Sequence, residues 1–411
     1  MLVPGGFMRH MRAGYVALVL AALLAAAAPG PAIAREAMVT FRVRVPEGTP
    51  PDAGVYITGN IDALGPWDPG KVELGRIDDR LFAITIILPP GLDLRYQITR
   101  GTWDTVERGA DFGPVTDRAL SVVGDETVEV EVEAWKDFAP GRDRHTVVGD
   151  LRYHREFRSE ALGNSRTLLV LLPPGYDEAP DARYPVLYMH DGQNLFDAAT
   201  SFIGVEWNVD ETVLRMVRDG AVAPLIVVGV ENTSQRAFEY TPVPDRARGG
   251  GGGDLYARFL VEEVKPFIDG NYRTMTGAAH TGIMGSSFGG LASLYTAWQY
   301  PGVFTRVGAM STSYGWANGH ILDFVESNDA PPGARVWIDM GTAEYPGDSN
   351  GDGIPDIIEQ HRRMRDALIE HGLTLPGSLG YVEDEGAVHN ERAWAARFPR
   401  ALRHLFPPGR R

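Results

Sequence analysis

The sequence predicts an α/β domain with a mostly parallel sheet, preceded by a small β-sandwich domain. Its 411 residues exceed the length of one ordinary domain, so two are expected. After residue 146, short apolar runs alternate with amphipathic helical patterns, which is typical of parallel strands covered by helices on both faces. Before residue 137, short alternating segments are separated by clusters of Pro, Gly and Asp, which is typical of a sandwich. We therefore assign 36–136 to the sandwich, 137–145 to a linker and 146–411 to the α/β domain.

Residues 1–34 have the pattern of a secretory signal peptide. Arg9 and Arg12 precede an apolar run over 15–28, and Ala32 to Ala34 fit an A-x-A cleavage site. The run is short for a membrane span, although an uncleaved anchor is the alternative interpretation. We expect an exported protein, periplasmic or secreted, with no membrane attachment after cleavage.

The composition excludes several classes of protein. The chain has no cysteine, which excludes disulfides, a cysteine nucleophile and a thiolate metal site. Its formal net charge of −15 argues against nucleic acid and anionic membranes as partners. Neutral substrates or cations fit this charge better, and the oligomeric state is not predicted.

The predicted elements follow from these two patterns. In the first domain, alternating segments predict strands and no helix, at 38–45, 54–58, 81–88, 94–99 and 127–133. In the second domain, buried apolar runs predict strands at 167–172, 186–190, 225–230, 280–284, 303–310, 335–340 and 379–382. Amphipathic periodicity predicts helices at 209–217, 254–268, 291–300, 357–371 and 391–405. The glycine run over 249–253 predicts a flexible loop.

The segment Gly285-Ser286-Ser287-Phe288-Gly289 matches the Gly-x-Ser-x-Gly pattern of a nucleophile elbow. It lies between a predicted strand and a predicted helix, which is the context that this motif requires. The two glycines allow a turn sharp enough to present Ser287 at the strand tip. The pattern alone is common, so the remaining catalytic groups must be found independently.

A serine nucleophile requires a base that a carboxylate orients. In an elbow topology the chain order is serine, acid, histidine, and His389 alone among the histidines lies between the last predicted strand and the last helix. Glu344, in the loop after the strand over 335–340, is the predicted acid. Asp339 is the alternative, but it lies within that strand, where it is either buried or directed away from the loop.

The oxyanion hole is expected to use the backbone N–H of Phe288 and one N–H from the loop over 191–194. Gly192 and Gln193 are the candidates in that loop, and the sequence does not decide between its residues. Trp207 is a candidate for lining the substrate pocket.

Several separated motifs resemble a known family. They are the elbow together with Tyr-Met-His-Asp-Gly-Gln-Asn-Leu-Phe-Asp at 188–197, Glu-Trp-Asn-Val-Asp at 206–210, Arg-x-x-Glu-Tyr-Thr-Pro at 236–242 and Lys-Pro-Phe-Ile-Asp at 265–269. The chain is similar here to esterases of the esterase D type, which include enterochelin esterases, feruloyl and acetylxylan esterases of carbohydrate esterase family 1, and mycolyltransferases. The resemblance covers roughly 146–408. It implies an α/β-hydrolase fold, a triad of Ser287, Glu344 and His389, and ester hydrolysis, but no particular substrate.

A second motif, over 348–359, has the pattern of an EF-hand calcium loop. Its oxygen ligands would be the side chains of Asp348, Asn350, Asp352, Asp356 and Glu359 and the carbonyl of Ile354. Pro355 departs from the pattern, and 345–347 cannot form an entering helix, so a solvated acidic turn before a capped helix is the alternative. We predict one structural Ca²⁺ that orders the loop bearing Glu344.

The run over 56–69 and the segment over 88–98 are similar to starch-binding domains of carbohydrate-binding family 20. That resemblance implies that Trp67 stacks on a sugar ring, with Trp103 as the nearest further tryptophan. The family's second stacking aromatic has no match, because Arg108 stands at its expected position. The alternative is that Trp67 packs in the core or between domains.

Together these features predict a serine carboxylic ester hydrolase acting through an acyl-enzyme, without an organic cofactor. Acyl or feruloyl esters of carbohydrates are the predicted substrates. A siderophore trilactone esterase is the alternative within this class. The alternative of another class is a glycan-binding protein that retains an inactive hydrolase scaffold.

Overall fold

The computed structural model describes residues 36–110, 112–113, 115–138, 145–202 and 204–408. The predicted signal peptide and most of the predicted linker lie outside these residues. Within the described part of the chain, no helix has both the length and the apolar character needed to cross a bilayer.

Two four-stranded sheets form the first domain. The strands are β1 (Ala37–Arg44), β2 (Tyr56–Gly59), β3 (Val72–Glu73), β4 (Gly75–Arg76), β5 (Leu81–Leu88), β6 (Asp93–Thr99), β7 (Glu107–Arg108), β8 (Arg118–Ser121), β9 (Glu126–Glu131) and β10 (Ala134–Trp135). One sheet has the order β4-β5-β1-β9 and the other β3-β2-β6-β8, while β7 pairs with β10. The sequence analysis missed β8 because it is a short edge strand whose residues are all at least partly exposed.

The core of this domain lies between the two sheets. In β1 the side chains of Val39, Phe41 and Val43 are buried, and the intervening residues face outward. Phe41 meets Tyr96 of β6 edge-on, with ring centroids 5.1 Å apart, so aromatic packing joins the sheets. The predicted β-sandwich is confirmed.

An eight-stranded sheet forms the centre of the second domain. Its strands are β11 (Asp150–Arg158), β12 (Ser165–Leu172), β13 (Val186–His190), β14 (Ile226–Val230), β17 (Thr281–Ser286), β18 (Arg306–Met310), β19 (Arg335–Gly341) and β20 (Leu379–Asp384), while β15 (Pro244–Asp245) and β16 (Gly249–Gly250) form a separate hairpin. The order is β11-β12-β14-β13-β17-β18-β19-β20, and only the pairings of β12 with β11 and β14 are antiparallel. The mostly parallel sheet is confirmed.

Helices cover both faces of this sheet. They are α1 (Val209–Arg218), α2 (Arg236–Tyr240), α3 (Gly253–Arg258), α4 (Lys265–Asn271), α5 (Phe288–Gln299), α6 (His320–Ser327), α7 (Asp356–Glu370) and α8 (Glu391–Leu405). Side chains of α1 and α8 pack on one face, and those of α2 to α7 pack on the other. Alternate residues of β12 enter the two cores, with Leu168 and Val170 on one side and Leu169 and Leu171 on the other.

Three sequence predictions need correction in this domain. The strand β11 was missed because it is an edge strand rich in exposed charged residues. The predicted helix over 254–268 is α3, a π-helical segment (Phe259–Val264) and α4 in succession. The glycine run is not a loose loop, because it contributes β16 and the start of α3. Gly251 has a φ of 95°, and a Cβ there would lie 2.7 Å from Pro244.

Candidate active site

The turn between β17 and α5 presents Ser287 at the carboxyl end of the sheet. Ser287 has a φ of 58° and a ψ of −121°, a conformation that strains a residue with a Cβ. Its backbone N–H donates to Met310 O at 3.0 Å, and its carbonyl accepts from Gly290 N at 3.1 Å. A Cβ at Gly285 would lie 2.7 Å from the His190 ring. The tight elbow therefore depends on the glycine that the motif specifies.

His389 and Glu344 form a hydrogen-bonded pair beside this turn. His389 Nδ1 lies 2.8 Å from Glu344 Oε2, and the Glu344 side chain is fully buried. Burial acts to raise the pKa of Glu344, but the His389 bond and charge, with further bonds from Ser311 Oγ and Gly341 N, hold it below its usual value. Glu344 is therefore ionised and orients the His389 ring.

His389 and Ser287 are less closely linked than His389 and Glu344. Between these two residues, both of which the structure describes, no hydrogen bond is formed, and Ser287 Oγ lies 3.2 Å from Ser313 Oγ. Catalytic hydrogen bonds are often long in a free enzyme and tighten when substrate binds. The His389 ring is held by Trp394 at 5.0 Å edge-on and by Tyr345 at 5.1 Å.

A buried arginine, Arg397 of α8, supports the acid from behind. Its guanidinium donates to Ser311 Oγ at 2.6 Å, lies 3.4 Å from Glu344 Oε1 and lies 2.9 Å from Asp339 Oδ1 without hydrogen-bond geometry. Asp339 also accepts from Trp337 Nε1 at 2.7 Å. Burial raises the pKa of Asp339 to about 6, against the charge of Arg397. Asp339 thus pairs with Arg397 and not with His389, which favours Glu344 as the acid.

The two predicted sources of oxyanion donors meet at one edge of the sheet. Phe288 is the first residue of α5, where backbone N–H groups have no partner within the helix. Gly192 and Gln193 begin a 3-10 turn after β13, the parallel neighbour of β17, so both turns follow carboxyl ends of adjacent strands. Gln193 Oε1 accepts from Asn232 N at 3.1 Å, which fixes the loop.

The first residue of the loop over 191–194, Asp191, forms an ion pair. Arg236 donates to both carboxylate oxygens of Asp191, at 2.7 and 2.8 Å. Although burial acts to raise it, the pKa of Asp191 is lowered by Arg236. The Arg236 guanidinium also lies 5.6 Å from the ring centroid of Phe288. A positively charged side chain therefore lies beside the residue that follows Ser287, the predicted nucleophile.

Trp207 does not line the pocket, contrary to the prediction. It is 3% exposed, and its ring packs on Trp394 at 5.6 Å and on Phe398 at 6.4 Å. Its backbone N–H donates to Asn194 O at 2.9 Å. Trp207 is therefore a core residue that braces Trp394, the residue that contacts His389.

Sequence reasoning missed Arg397, Ser311 and Ser313. One sequence feature indicates a special role for Arg397. It is a charged residue on the apolar stripe of α8, between Trp394 and Phe398. For the two serines, which follow β18, the sequence contains no signal, because their partners come from distant segments of the chain.

The calcium-like loop lies between β19 and α7. Asp348 accepts from Gly351 N at 2.7 Å and from Gly353 N at 2.9 Å, and Asp352 accepts from Ile354 N at 2.8 Å. Glu359, in the first turn of α7, accepts from Asn350 Nδ2 at 3.0 Å. Among the described residues, this loop does not place three carboxylate oxygens within 4.8 Å of one another.

Two tryptophans form a pair on the surface of the sandwich. The rings of Trp67 and Trp103 lie 6.5 Å apart with a tilt of 33°, and both are partly exposed. Trp103 therefore supplies a second ring beside Trp67, and neither side chain lies in the core.

Arg108 is buried and faces the second domain. The guanidinium of Arg108 lies 4.1 Å from the ring centroid of Phe202, and Lys136 Nζ lies 4.4 Å from the same ring. Phe202 N donates to Asn194 Oδ1 at 2.9 Å, which links this contact to the predicted oxyanion loop.

Comparisons with known proteins agree with this geometry. The Esterase family model matches residues 159–405. The uncharacterized protein YbbA of Bacillus subtilis (strain 168) is 27% identical over 259 residues, covering 61% of this chain and 97% of YbbA. An endo-1,4-beta-xylanase/feruloyl esterase of Xylanibacter ruminicola is 28% identical over 256 residues, covering 61% of this chain and 30% of that protein.

Two further matches differ in how much of the chain they cover. An alpha-amylase of Niallia circulans is 42% identical over 100 residues, which are 24% of this chain and 8% of the amylase. The enterobactin esterase FES from Shigella flexneri shares the fold, with a TM-score of 0.50 and 16% identity over 89% of this chain and 92% of that one. Because the family match spans more than half of the sequence and includes the elbow, the chain belongs to the Esterase family.

Proposed function

We propose that Ser287, His389 and Glu344 hydrolyse carboxylic esters through an acyl-enzyme, and that the substrates are acyl or feruloyl esters of carbohydrates. The observation that carries this proposal is the 2.8 Å hydrogen bond from His389 Nδ1 to the buried Glu344, beside the strained Ser287. A base held by an ionised acid near a half-buried serine at a strand tip has the arrangement that acyl transfer requires.

In the first half of the reaction, His389 takes the proton of Ser287 Oγ as the oxygen attacks the ester carbonyl. The negative charge that develops on the carbonyl oxygen is stabilised by backbone N–H groups at Phe288 and in the 191–194 loop. The imidazolium is stabilised by Glu344, and it then protonates the departing alkoxide. An acyl group remains on Ser287.

In the second half, His389 deprotonates a water molecule that attacks the acyl carbonyl. The same N–H groups stabilise the second oxyanion, and the proton returns to Ser287 as the acid leaves. No organic cofactor is needed for either half, because every proton is carried by His389.

The proposed carbohydrate substrate has two supports. One relative is a xylanase/feruloyl esterase by name, and another is an alpha-amylase. The Trp67 and Trp103 rings, both partly exposed, offer apolar faces on which sugar rings stack. We propose this pair as the glycan site of the sandwich.

The second candidate is a siderophore trilactone. Arg236 lies near the Phe288 ring, and Arg248 lies 4.5 Å from the ring centroid of Trp316, which itself packs on Phe288 at 5.0 Å. Both arginines are already paired, Arg236 with Asp191 and Arg248 with Asp245, so it is the aromatic pair of Phe288 and Trp316 that favours an aromatic acyl group such as a dihydroxybenzoyl group.

Turnover of a substrate panel tests the proposal. Feruloyl and acetyl esters of xylan fragments are expected to give the highest kcat/KM, and Trp67→Ala is expected to raise KM for polymeric esters without changing kcat for a short p-nitrophenyl ester. A higher kcat/KM for a catecholate trilactone would select the second candidate. Absence of turnover and of fluorophosphonate labelling, with glycan binding retained, would indicate an inactive glycan-binding protein.

We also propose a structural Ca²⁺ in the loop over 348–359. The donors there are oxygens only, and the hard cation Ca²⁺ prefers such a set. The side chains of Asp348, Asn350, Asp352, Asp356 and Glu359 would hold the ion, with the Ile354 carbonyl. The bound ion would screen the carboxylates and order the segment that follows Glu344.

Chelation is therefore expected to lower stability. Removing the ion leaves the loop carboxylates uncompensated, so Tm should fall by several degrees, and kcat should fall with it because the loop adjoins Glu344. Differential scanning fluorimetry with EDTA and with excess CaCl₂ measures this. Equal Tm and equal kcat in both conditions would contradict the loop site, and Asp352→Asn provides a control that should lose the part of the Ca²⁺ response that comes from this loop.

Finally, we propose that the protein works outside the cytoplasm, as a periplasmic or secreted enzyme. The support is the basic, apolar and Ala-x-Ala pattern of residues 1–34. Mass spectrometry of the N-terminus after expression in a secreting host distinguishes a cleaved chain from an intact one.

A further inference from the structure

A separate acidic cluster lies where the chain enters α1. We call Glu206, Asp210 and Glu211 the acidic triplet. One carboxylate oxygen from each lies within 4.8 Å of the others, and among the described residues no other group of three potential ligands has this spacing. Glu206 is 4% exposed and Asp210 is fully buried. The triplet shares no residue with the candidate active site or with the 348–359 loop.

Each carboxylate of the triplet has one oxygen without a hydrogen bond. These oxygens, Glu206 Oε2, Asp210 Oδ1 and Glu211 Oε2, are all inaccessible to solvent. The other oxygens of the two buried residues are fixed, because Thr146 Oγ1 donates to Glu206 Oε1 and Val148 N donates to Asp210 Oδ2 at 2.7 Å. The triplet therefore combines oriented carboxylates with unpartnered oxygens, as in a ligand site.

The surrounding charges do not neutralise the triplet. The neighbouring charges that act on the pKa of Glu206 are those of Glu211 and Asp197, and those that act on the pKa of Asp210 are Glu211 and Glu206, so all of them are negative. Asp197 already lies 2.7 Å from His145 Nδ1. In the described part of the chain, none of the three carboxylates forms a salt bridge. The positive end of α1 offers only about half an elementary charge, which is insufficient for two buried carboxylates and a third that is partly exposed.

Two kinds of occupant would neutralise the negative charge of these carboxylates, namely protons and a metal ion. Burial raises the pKa of Glu206 to about 7 and that of Asp210 to about 8, so protons compete for these oxygens near neutral pH. One shared proton bridges at most two carboxyl oxygens, as the hydrogen-bonding proximity of Asp210 and Glu211 allows, whereas here one oxygen from each of three carboxylates lies within 4.8 Å of the other two. Convergence of three oxygens favours a metal ion.

We propose that the acidic triplet binds a divalent cation, Ca²⁺, through one oxygen of each of its three carboxylates. The donor set contains oxygen and neither nitrogen nor sulfur, which selects a hard cation over zinc or copper. The ion would fix the start of α1, and with it Trp207, which packs on the Trp394 that contacts His389. Through these contacts the triplet would help to keep Trp394 in place against His389, the predicted base.

Calorimetric titration with CaCl₂ tests the proposal on the full chain after EDTA treatment and dialysis. Wild-type protein is expected to bind one ion more than the Glu206→Gln/Asp210→Asn double variant. The matched control, Asp348→Asn/Asp352→Asn, removes the loop site and should leave the triplet's binding step intact. Because ion binding is the readout, the result does not depend on esterase activity.

The proposal is overturned if the triplet double variant binds as many ions as wild type. It is also overturned if the loop double variant binds no Ca²⁺. A Tm of that variant that falls between pH 6 and pH 9 irrespective of Ca²⁺ would then identify protons as the occupants. If circular dichroism shows that the double variant does not fold, the milder variant Glu211→Gln replaces it, because Glu211 is partly exposed. Its Kd for this binding step is expected to be at least tenfold weaker than that of wild type. An unchanged Kd would refute the site.

Discussion

Replacing Ser287 with alanine is expected to lower kcat for ester hydrolysis by about 10⁶-fold, since a triad acts as a unit and fails when its nucleophile is lost. The fold should be retained, because the Ser287 side chain forms one hydrogen bond, to Ser313 Oγ. Steady-state kinetics on a p-nitrophenyl ester and fluorophosphonate labelling with peptide mass spectrometry measure the two effects.

Ser313→Ala is the matched control, because it removes the neighbouring hydroxyl and leaves the nucleophile. It should retain labelling at Ser287. Ser287→Gly should abolish turnover and raise the free energy of unfolding by about 1 kcal/mol, as glycine relieves the positive φ of this position. If Ser287→Ala kept more than about a hundredth of wild-type kcat, the assigned nucleophile would be wrong.

Replacing Glu344 with glutamine is expected to lower kcat by about 10⁴-fold, because the amide no longer stabilises the imidazolium or fixes the reactive tautomer of His389. Stability should fall as well, since Arg397 loses one of its buried carboxylate partners. Kinetics and thermal unfolding on the same sample separate the two losses.

The pH dependence of stability gives an independent check on Glu344. Its folded pKa is depressed, so its contribution is complete above the ordinary glutamate value of 4.5 and is lost as pH falls through the lower folded value. The stability difference between wild type and Glu344→Gln should therefore shrink below that pH. Asp339→Asn, which alters the other buried carboxylate beside Arg397, should lower Tm and keep kcat within about tenfold of wild type. A larger loss of kcat in Asp339→Asn than in Glu344→Gln would reverse the assignment.

The predicted catalytic residues could be located from the sequence for a specific reason. Chain order and strand ends restrict a nucleophile, an acid and a base to the carboxyl edge of a parallel sheet, so Ser287, Glu344 and His389 could be found without any tertiary contact. The support for these residues could not be found in this way. Arg397 meets Glu344 and Asp339 only after α8 packs on β19, and such pairing leaves no local pattern.

The burial of individual side chains was predicted least accurately from the sequence. Trp207 was assigned to the pocket, yet it lies in the core, because a tryptophan near a functional loop has the same sequence signature in both places. The edge strand β11 was missed for the opposite reason, since its charged, exposed residues lack the apolar run of the central strands. Glu206 and Asp210 were quoted as part of a family motif, and nothing in the sequence indicated that their carboxylates are buried together.

The contact of Arg108 and Lys136 with Phe202 changes how the two domains can be recombined. A binding module that merely tethers an enzyme can be exchanged for another at the linker without loss. Here the sandwich supplies two cations to a ring whose backbone N–H donates to Asn194, in the predicted oxyanion loop. A foreign module grafted before residue 145 would have to reproduce both cations. The sandwich is thus joined to the α/β domain by side-chain contacts as well as by the linker.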